Sequence, residues 1–254
     1  MTAIGVTGAT GTMGREVLTA ATERDDVTVA FAVNRDPEDE PVAGHQVQTV
    51  ADLPGLLAEH RPEVVVDFTG PDSTVEYAAA CAEAGVGFVT GTTGFSEDER
   101  TALRDAAETI PLLWATNFSR GIHALQTALA KSVGALPEYD IELTETHHNR
   151  KRDAPSGTAK TLLDGIDEAS ERESERTYGR EGEQPRQTDE IGVHVRRAGG
   201  IRGEHEVMFA GNDEVLTFTH RAESRRVFAT GALDAAVWLA GREPGWYAFE
   251  EVVS

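Results

Sequence analysis

The chain has 254 residues, 44 of them acidic against 23 lysines and arginines, for a formal net charge of -21. That length carries one large core or two modest ones, and the acid excess excludes non-specific binding to nucleic acid or to an anionic membrane, whose phosphates such a surface repels. Small anions stay within reach wherever positive charge is concentrated locally.

Lys131, Lys151 and Lys160 are the only lysines, every other cation being arginine. An acidic, lysine-poor surface suits work in high salt, where the screening length falls to about 3 Å at 1 M and self-repulsion is quenched. Cys81 is the single cysteine and sits in the helical stretch EYAAACAEAG, so it reads as a small core residue. Neither a charged apolar leader nor an apolar run near the ~18 residues of a membrane span is evident, so a cytoplasmic protein without a membrane partner is expected.

In chain order, AIGVTG, VTVAFAV, EVVVDFTG, VGFVTG and PLLWATN read as buried strands, apolar without strict alternation and separated by helical stretches. Asp72 is placed to cap the helix ending at Gly85, and Ser96 with Glu99 forms a capping box for the next. The alternation predicts a Rossmann-like, doubly wound parallel sheet. From about residue 138, IELTETH, IGVHVRRA, EHEVMFA and EVLTFTH alternate apolar and polar residues, as strands of a sheet with one wet face. A second, α+β domain is therefore expected over 119–225, with 1–118 as the dinucleotide-binding domain. Asp164 to Glu190 reads as a helix end followed by an exposed loop, and TGALDAAVWLAG as a final helix returning to the first domain, which 226–254 would complete.

GVTGATGTMG places Gly5, Gly8, Gly11 and Gly14 at every third residue between the first strand and a helix. Such a loop, here Gly8, Ala9, Thr10, Gly11, Thr12 and Met13, lets backbone N–H groups approach a pyrophosphate at the positive end of a helix. A tight turn with close helix packing and no ligand is the plainer alternative. Asn34 and Arg35 end the second strand, where a carboxylate meets the ribose of NAD or an arginine the 2′-phosphate of NADP; a cation without the carboxylate leans towards NADPH or dual use. GTTG (Gly91, Thr92, Thr93) and ATNF (Ala115, Thr116, Asn117, Phe118) lie at later strand ends, with small side chains that suit a nicotinamide and its ribose. The YxxxK pair of short-chain dehydrogenases is missing, since four residues before the lysines stand Thr127, His147 and Ser156.

ETHHNRKRDAPSGTAK is a cationic island in an acidic chain. His147 and His148 can serve one pocket only if the strand ends there, because strand neighbours face opposite sides. Histidine exchanges protons near neutral pH, Lys151 lies four residues on, and the N–H groups of Gly157 and Thr158 open a helix that a carboxylate could cap. From the residues alone this is an anion pocket with a proton donor, or else surface ion pairs of the arginines with Glu145 and Asp153 and one core histidine. With cations beside the histidines and no cysteine or paired carboxylate to complete a shell, no metal is expected.

GATGTMG, VVVDFTGP, VTGTTGF, ATNFSRGI, ETHHNRKRDAPSGTA, VRRAGGIRGEHEVMFA and VFATGALDAAVWLAG span nearly the whole chain. Together they resemble the 4-hydroxy-tetrahydrodipicolinate reductase (dihydrodipicolinate reductase) family, whose E(L/A)HHxxKxDAPSGTA pattern the central stretch is similar to. The resemblance implies NADPH- or NADH-dependent reduction of a small cyclic dicarboxylate in the diaminopimelate route to lysine. It implies that His147 is the proton donor or acceptor and Lys151 a second donor, and that His148, Gly157 and Thr158 hold the substrate. Gly8 to Met13, Gly91 to Thr93 and Ala115 to Phe118 would contact the cofactor, and a tetramer would form through the second domain's sheet. The competing readings are a dinucleotide-sensing regulator without catalysis and a different reductase of an aspartate-derived substrate.

Overall fold

A computed structural model describes residues 1–170 and 174–254 and divides the chain into two compact units, residues 1–119 with 225–254 and residues 120–224. In the first unit β1 (Thr2–Thr7), β2 (Val27–Asn34), β3 (Val47–Thr49), β4 (Val64–Asp67), β5 (Gly87–Thr90), β6 (Pro111–Trp114) and β12 (Gly245–Tyr247) form one sheet, ordered β12-β6-β5-β4-β1-β2-β3. Every pairing is parallel. The order reverses between β1 and β4, which in such sheets opens a crevice at the strands' carboxyl ends.

Helices cover both faces, which is why β4 and β5 are buried along their whole length and read as unbroken apolar runs. On one face α1 (Thr12–Ala21), α7 (Arg226–Leu239) and α8 (Phe249–Val253) bury Leu18, Leu233 and Phe249 against Val6, Val64 and Val66. On the other, α2 (Leu53–His60), α3 (Pro71–Ala84) and α4 (Glu97–Ala107) bury Leu57, Ala78 and Leu103 against Val65, Phe88 and Leu112. Cys81 is part of this second layer, and burial, with the nearby Asp67, pushes its thiol far up, as befits an inert core residue.

The capping box of α4 is present: the Ser96 hydroxyl accepts from Glu99 N–H, and Glu99 Oε2 accepts from Ser96 N–H at 2.6 Å. The expected cap of α3 is not. Gly70 is the N-cap with Pro71 at the first helical position, and Asp72 falls inside the first turn; proline's fixed φ sets the start one residue earlier than a side-chain cap would. The final helix begins at Arg226, before the expected Thr230, and neither β12 nor α8 was signalled by periodicity.

In the second unit β7 (Asp140–His147), β8 (Glu175–Tyr178), β9 (Glu190–Arg197), β10 (Glu204–Gly211) and β11 (Glu214–Arg221) form a mixed sheet ordered β11-β10-β7-β9-β8. β10 is antiparallel to both β11 and β7, and β9 is parallel to both β7 and β8. Helices α5 (Arg120–Ala135) and α6 (Gly157–Ala169) pack on one face, where Leu129, Leu162 and Ile166 meet Leu143, Val193, Val207 and Phe209. Strand β8 lies where an exposed loop was expected; with only four residues, ERTY, at a sheet edge it carries no readable period. Residues 171–173 of that expectation lie outside the described residues. Among the described residues no helix is long and apolar enough to cross a membrane.

Candidate functional site

The glycine loop leaves β1 through Gly8, whose φ of +66° favours glycine, and enters α1 with Gly11 as N-cap. A Cβ on Gly14 would lie 2.1 Å from the Gly8 carbonyl oxygen, so helix and loop touch backbone to backbone. No side chain caps α1, which leaves its positive end available to a phosphate and fits a dinucleotide. Thr10 lies in the turn, its carbonyl accepting from Arg15 Nε at 2.9 Å; Thr12 and Met13 open α1, Met13 packed on the core, while Ala9 is fully buried.

Gly8, Gly11, Asn34 and Arg35 line a cavity of about 440 Å³ together with Asp36, Phe68 to Ser73 and Tyr77. The Asn34 amide donates to the Asp36 carbonyl, and Arg35 reaches across the cavity to the Ser73 hydroxyl at 2.7 Å. The sequence reading missed Phe68 to Ser73 as a lining. The signal was there, since VVVDFTGP is a buried strand ending in a turn beside the glycine loop's strand.

The later strand ends are tied down by buried hydroxyls. Gly91 N–H donates to the Asp67 carbonyl, and a Cβ on Gly91 would lie 2.1 Å from the Phe68 ring. Thr92 is pinned at its N–H by Thr90 Oγ1 and at its carbonyl by the Trp114 indole, at 3.1 and 2.8 Å; Thr93 is exposed. In ATNF, Ala115 N–H donates to the Thr90 carbonyl, the Asn117 side chain accepts from Ser119 N–H, and Phe118 is buried edge-on against Phe68 and Phe249. Thr116 follows Ala115 in the same turn.

In the second unit β7 ends at His147, whose carbonyl accepts from Ala198 N–H, and the chain turns at once, with Lys151 N–H donating to the His148 carbonyl. This meets the condition under which both histidines can serve one pocket. His147 is buried and His148 half-buried. Lys151 Nζ pairs with Asp153 at 2.7 Å. Gly157 and Thr158 are the first two residues of α6, capped by Ser156, whose hydroxyl accepts from Ala159 N–H. Arg150 and Arg152 are exposed, and nothing in the structure explains them.

Glu145, which the alternative reading made a surface ion-pair partner of the arginines, is fully buried at the centre of this region. Its Oε1 accepts from Arg197 at 2.8 Å; its Oε2 accepts from Ser156 N–H at 3.2 Å and faces His147 Nδ1 at 3.4 Å and His205 Nε2 at 3.7 Å. Burial would push this carboxyl up, but His205, Ser156, Arg197 and the His147 charge bring it down to about 2. Burial brings His147 down to about 4, with Glu145 opposing and His205, Lys151 and Arg197 adding to the shift. A carboxylate on the Nδ1 side favours the tautomer protonated there, leaving Nε2 to exchange a proton with a bound molecule. Gly203 leaves room at that edge: a Cβ there would stand 3.1 Å from Nε2.

Alternation along EHEVMFA puts His205 on the buried face with Val207 and Phe209, a signal the sequence reading did not use. Glu145, His147 and His205 gather three potential metal ligands within 4.8 Å. The carboxylate is already engaged by a guanidinium and an amide, and that fixed cation opposes a second one.

Two family models match the chain, "Dihydrodipicolinate reductase, N-terminus" over residues 2–118 and "Dihydrodipicolinate reductase, C-terminus" over residues 121–253. The 4-hydroxy-tetrahydrodipicolinate reductase of Haloarcula marismortui is 55% identical, covering 100% of this chain and 99% of its own length. That of Natronomonas pharaonis is 54% identical over 98% of both chains. Among solved structures, the dipicolinate-bound dihydrodipicolinate reductase of Paenisporosarcina sp. TG-14 has the same fold, with a TM-score of 0.79, 23% identity and coverage of 98% of this chain and 97% of that one.

Proposed function

Because the chain belongs to the dihydrodipicolinate reductase family, we propose that its first unit holds the cofactor and its second unit holds the substrate and moves the protons. The protein is an NAD(P)H-dependent oxidoreductase that reduces 4-hydroxy-tetrahydrodipicolinate to tetrahydrodipicolinate in the diaminopimelate route to lysine. The observation that carries this reading is the match of both halves of the chain, at more than half identity to a full-length relative.

When bound, the reduced nicotinamide supplies the hydride that enters the ring at the position vacated by the hydroxyl. Gly8 to Met13 receive the pyrophosphate, a role supported by the uncapped start of α1 and the glycine cradle. Gly91 to Thr93 and Ala115 to Phe118 take the nicotinamide and its ribose. Arg35, held across the cavity by Ser73, supports a preference for NADPH, with Asn34 shaping the turn beside it.

In the second unit His148 and the N–H groups of Gly157 and Thr158 hold the substrate's carboxylates, supported by the place of those residues at the start of α6. His147 exchanges a proton through Nε2. The substrate's negative charges raise its pKa from about 4, so the proton arrives with the ligand. Lys151 is the second donor, released from Asp153 as a carboxylate approaches. The dipicolinate bound by the Paenisporosarcina protein supports a small cyclic dicarboxylate as ligand. We further propose a homotetramer joined through the second unit's sheet, a cytoplasmic location, and adaptation to high salt, for which the net charge of -21 and the scarcity of lysine speak.

The test supplies freshly made 4-hydroxy-tetrahydrodipicolinate and follows NADH and NADPH oxidation separately, in dilute buffer and in molar KCl. His147→Ala and Lys151→Ala should each lower kcat by about 10²-fold or more with NADPH binding intact. Near wild-type turnover in both would overturn the role assignment, and equal stability and activity in both salts would overturn salt adaptation.

A further inference from the structure

Asp67 is the one buried acidic side chain of the first unit, and neither the proposed proton chemistry nor the lining of the cavity uses it. It ends β4, fully buried, and its side-chain partners are five threonine hydroxyls. Thr7 and Thr69 donate to Oδ1 at 2.6 and 2.7 Å, while Thr74, Thr90 and Thr92 donate to Oδ2 at 2.7, 2.9 and 3.1 Å.

We propose that Asp67 is a positioning residue that holds two cofactor-binding loops, and the turn lining the cavity beside them, in one register. The proposal rests on the reading that these loops hold NAD(P)H. Thr7 immediately precedes Gly8 of the pyrophosphate loop; Thr69 and Thr74 bracket the turn that lines the cavity and opens α3; Thr90 ends β5 and Thr92 belongs to the GTTG loop that follows it. One carboxylate therefore bonds to every one of those segments at once.

Threonine suits the task because its branched Cβ restricts χ1, so the direction of the hydroxyl reports the position of the backbone. In a dry interior a loop that shifts strands either its own hydroxyl or a carboxylate oxygen, and each stranded group is costly. The loops also nest on the residues flanking the anchor: a Cβ on Gly8 would lie 2.8 Å from Thr69 Cγ2, and one on Gly91 would enter the Phe68 ring. All five donors being neutral, the anchor contains no cation that a phosphate could draw out of place.

The experiment measures NADPH affinity by protein fluorescence and steady-state kinetics on the full chain, with Gly11→Asp as a reference that sets a carboxylate in the pyrophosphate loop. Asp67→Asn should weaken NADPH binding about tenfold and raise the cofactor KM to match, with kcat and the substrate KM within about threefold. Thr7→Val and Thr90→Val, whose hydroxyls bind different oxygens of Asp67, should be non-additive in NADPH affinity by about threefold or more. These two near-isosteric variants decide the matter should Asp67→Asn not fold. Unchanged NADPH affinity in Asp67→Asn, a matched fall in kcat and both KM values, or additive threonine variants would each overturn the anchor. NADPH binding unaffected by Gly11→Asp would instead overturn the placement of the cofactor itself.

Discussion

Each unit keeps one carboxylate wholly out of water beside its candidate site, and the two are held in opposite ways. Asp67 is surrounded by neutral hydroxyls, whereas Glu145 is surrounded by a guanidinium, two imidazoles and a backbone amide. Removing a carboxylate from water costs several kcal/mol, and a hydrogen bond to a charged group returns about 1.5–3 kcal/mol, so either shell can sustain the burial. Neutral donors fix shape and add no titratable proton of their own. Titratable donors make the proton count of the region depend on what binds, as at His147, brought down to about 4 by burial and its neighbours. A loop that receives a polyanion gains from the first arrangement, and a site that must release and regain a proton gains from the second.

The comparison breaks most readily at Arg197. Arg197→Met leaves Glu145 buried without its guanidinium, and the expected loss is about 3 kcal/mol in denaturant unfolding; a loss under about 1 kcal/mol would show that the anion does not depend on that cation. Acid should distinguish the shells next. His147 has a folded pKa of about 4, below its ordinary value of 6.5, so between those pH values the unfolded chain binds a proton that the fold refuses. Stability should then fall towards acid by up to about 1.4 kcal/mol per pH unit from this one group. Glu145, depressed to about 2, contributes stability that is full above its ordinary 4.5 and is lost only as pH falls towards 2. In His147→Gln the slope between pH 6.5 and 4 should shrink by one proton; an unchanged slope would assign it elsewhere. The smallest effect is expected in the neutral shell, where Thr69→Val removes one of five hydroxyls for about 1.5 kcal/mol in denaturant unfolding.

The strands of both sheets were legible because burial on two faces and burial on one leave different periods, unbroken in VVVD and alternating in EHEVMFA. The shells around the two carboxylates were not. Thr7, Thr69, Thr74, Thr90 and Thr92 come from separate segments, and nothing local distinguishes a hydroxyl aimed at a buried anion from one facing water. Glu145 sits in TET, a polar tripeptide whose inward residue looks like its outward neighbours until its pairing with His205 across the sheet is known. The loop residues of the glycine cradle and the start of α6 were legible for the opposite reason, because each lies where a helix begins and carries its own local chemistry. β8 was missed since four polar residues at an edge need only a neighbour to pair with, and that neighbour, β9, lies beyond the turn.

The second unit interrupts the first, which resumes at Arg225. β6 acquires its outer neighbour only from Gly245–Tyr247, and the layer over Val6 and Leu18 is filled by Leu233, Leu239 and Phe249. All the residues of the inserted unit, by contrast, have been joined by Ser224. Domains that emerge first usually fold first during synthesis; here the unit that starts the chain must wait, its apolar layer open, until the ribosome has finished the other.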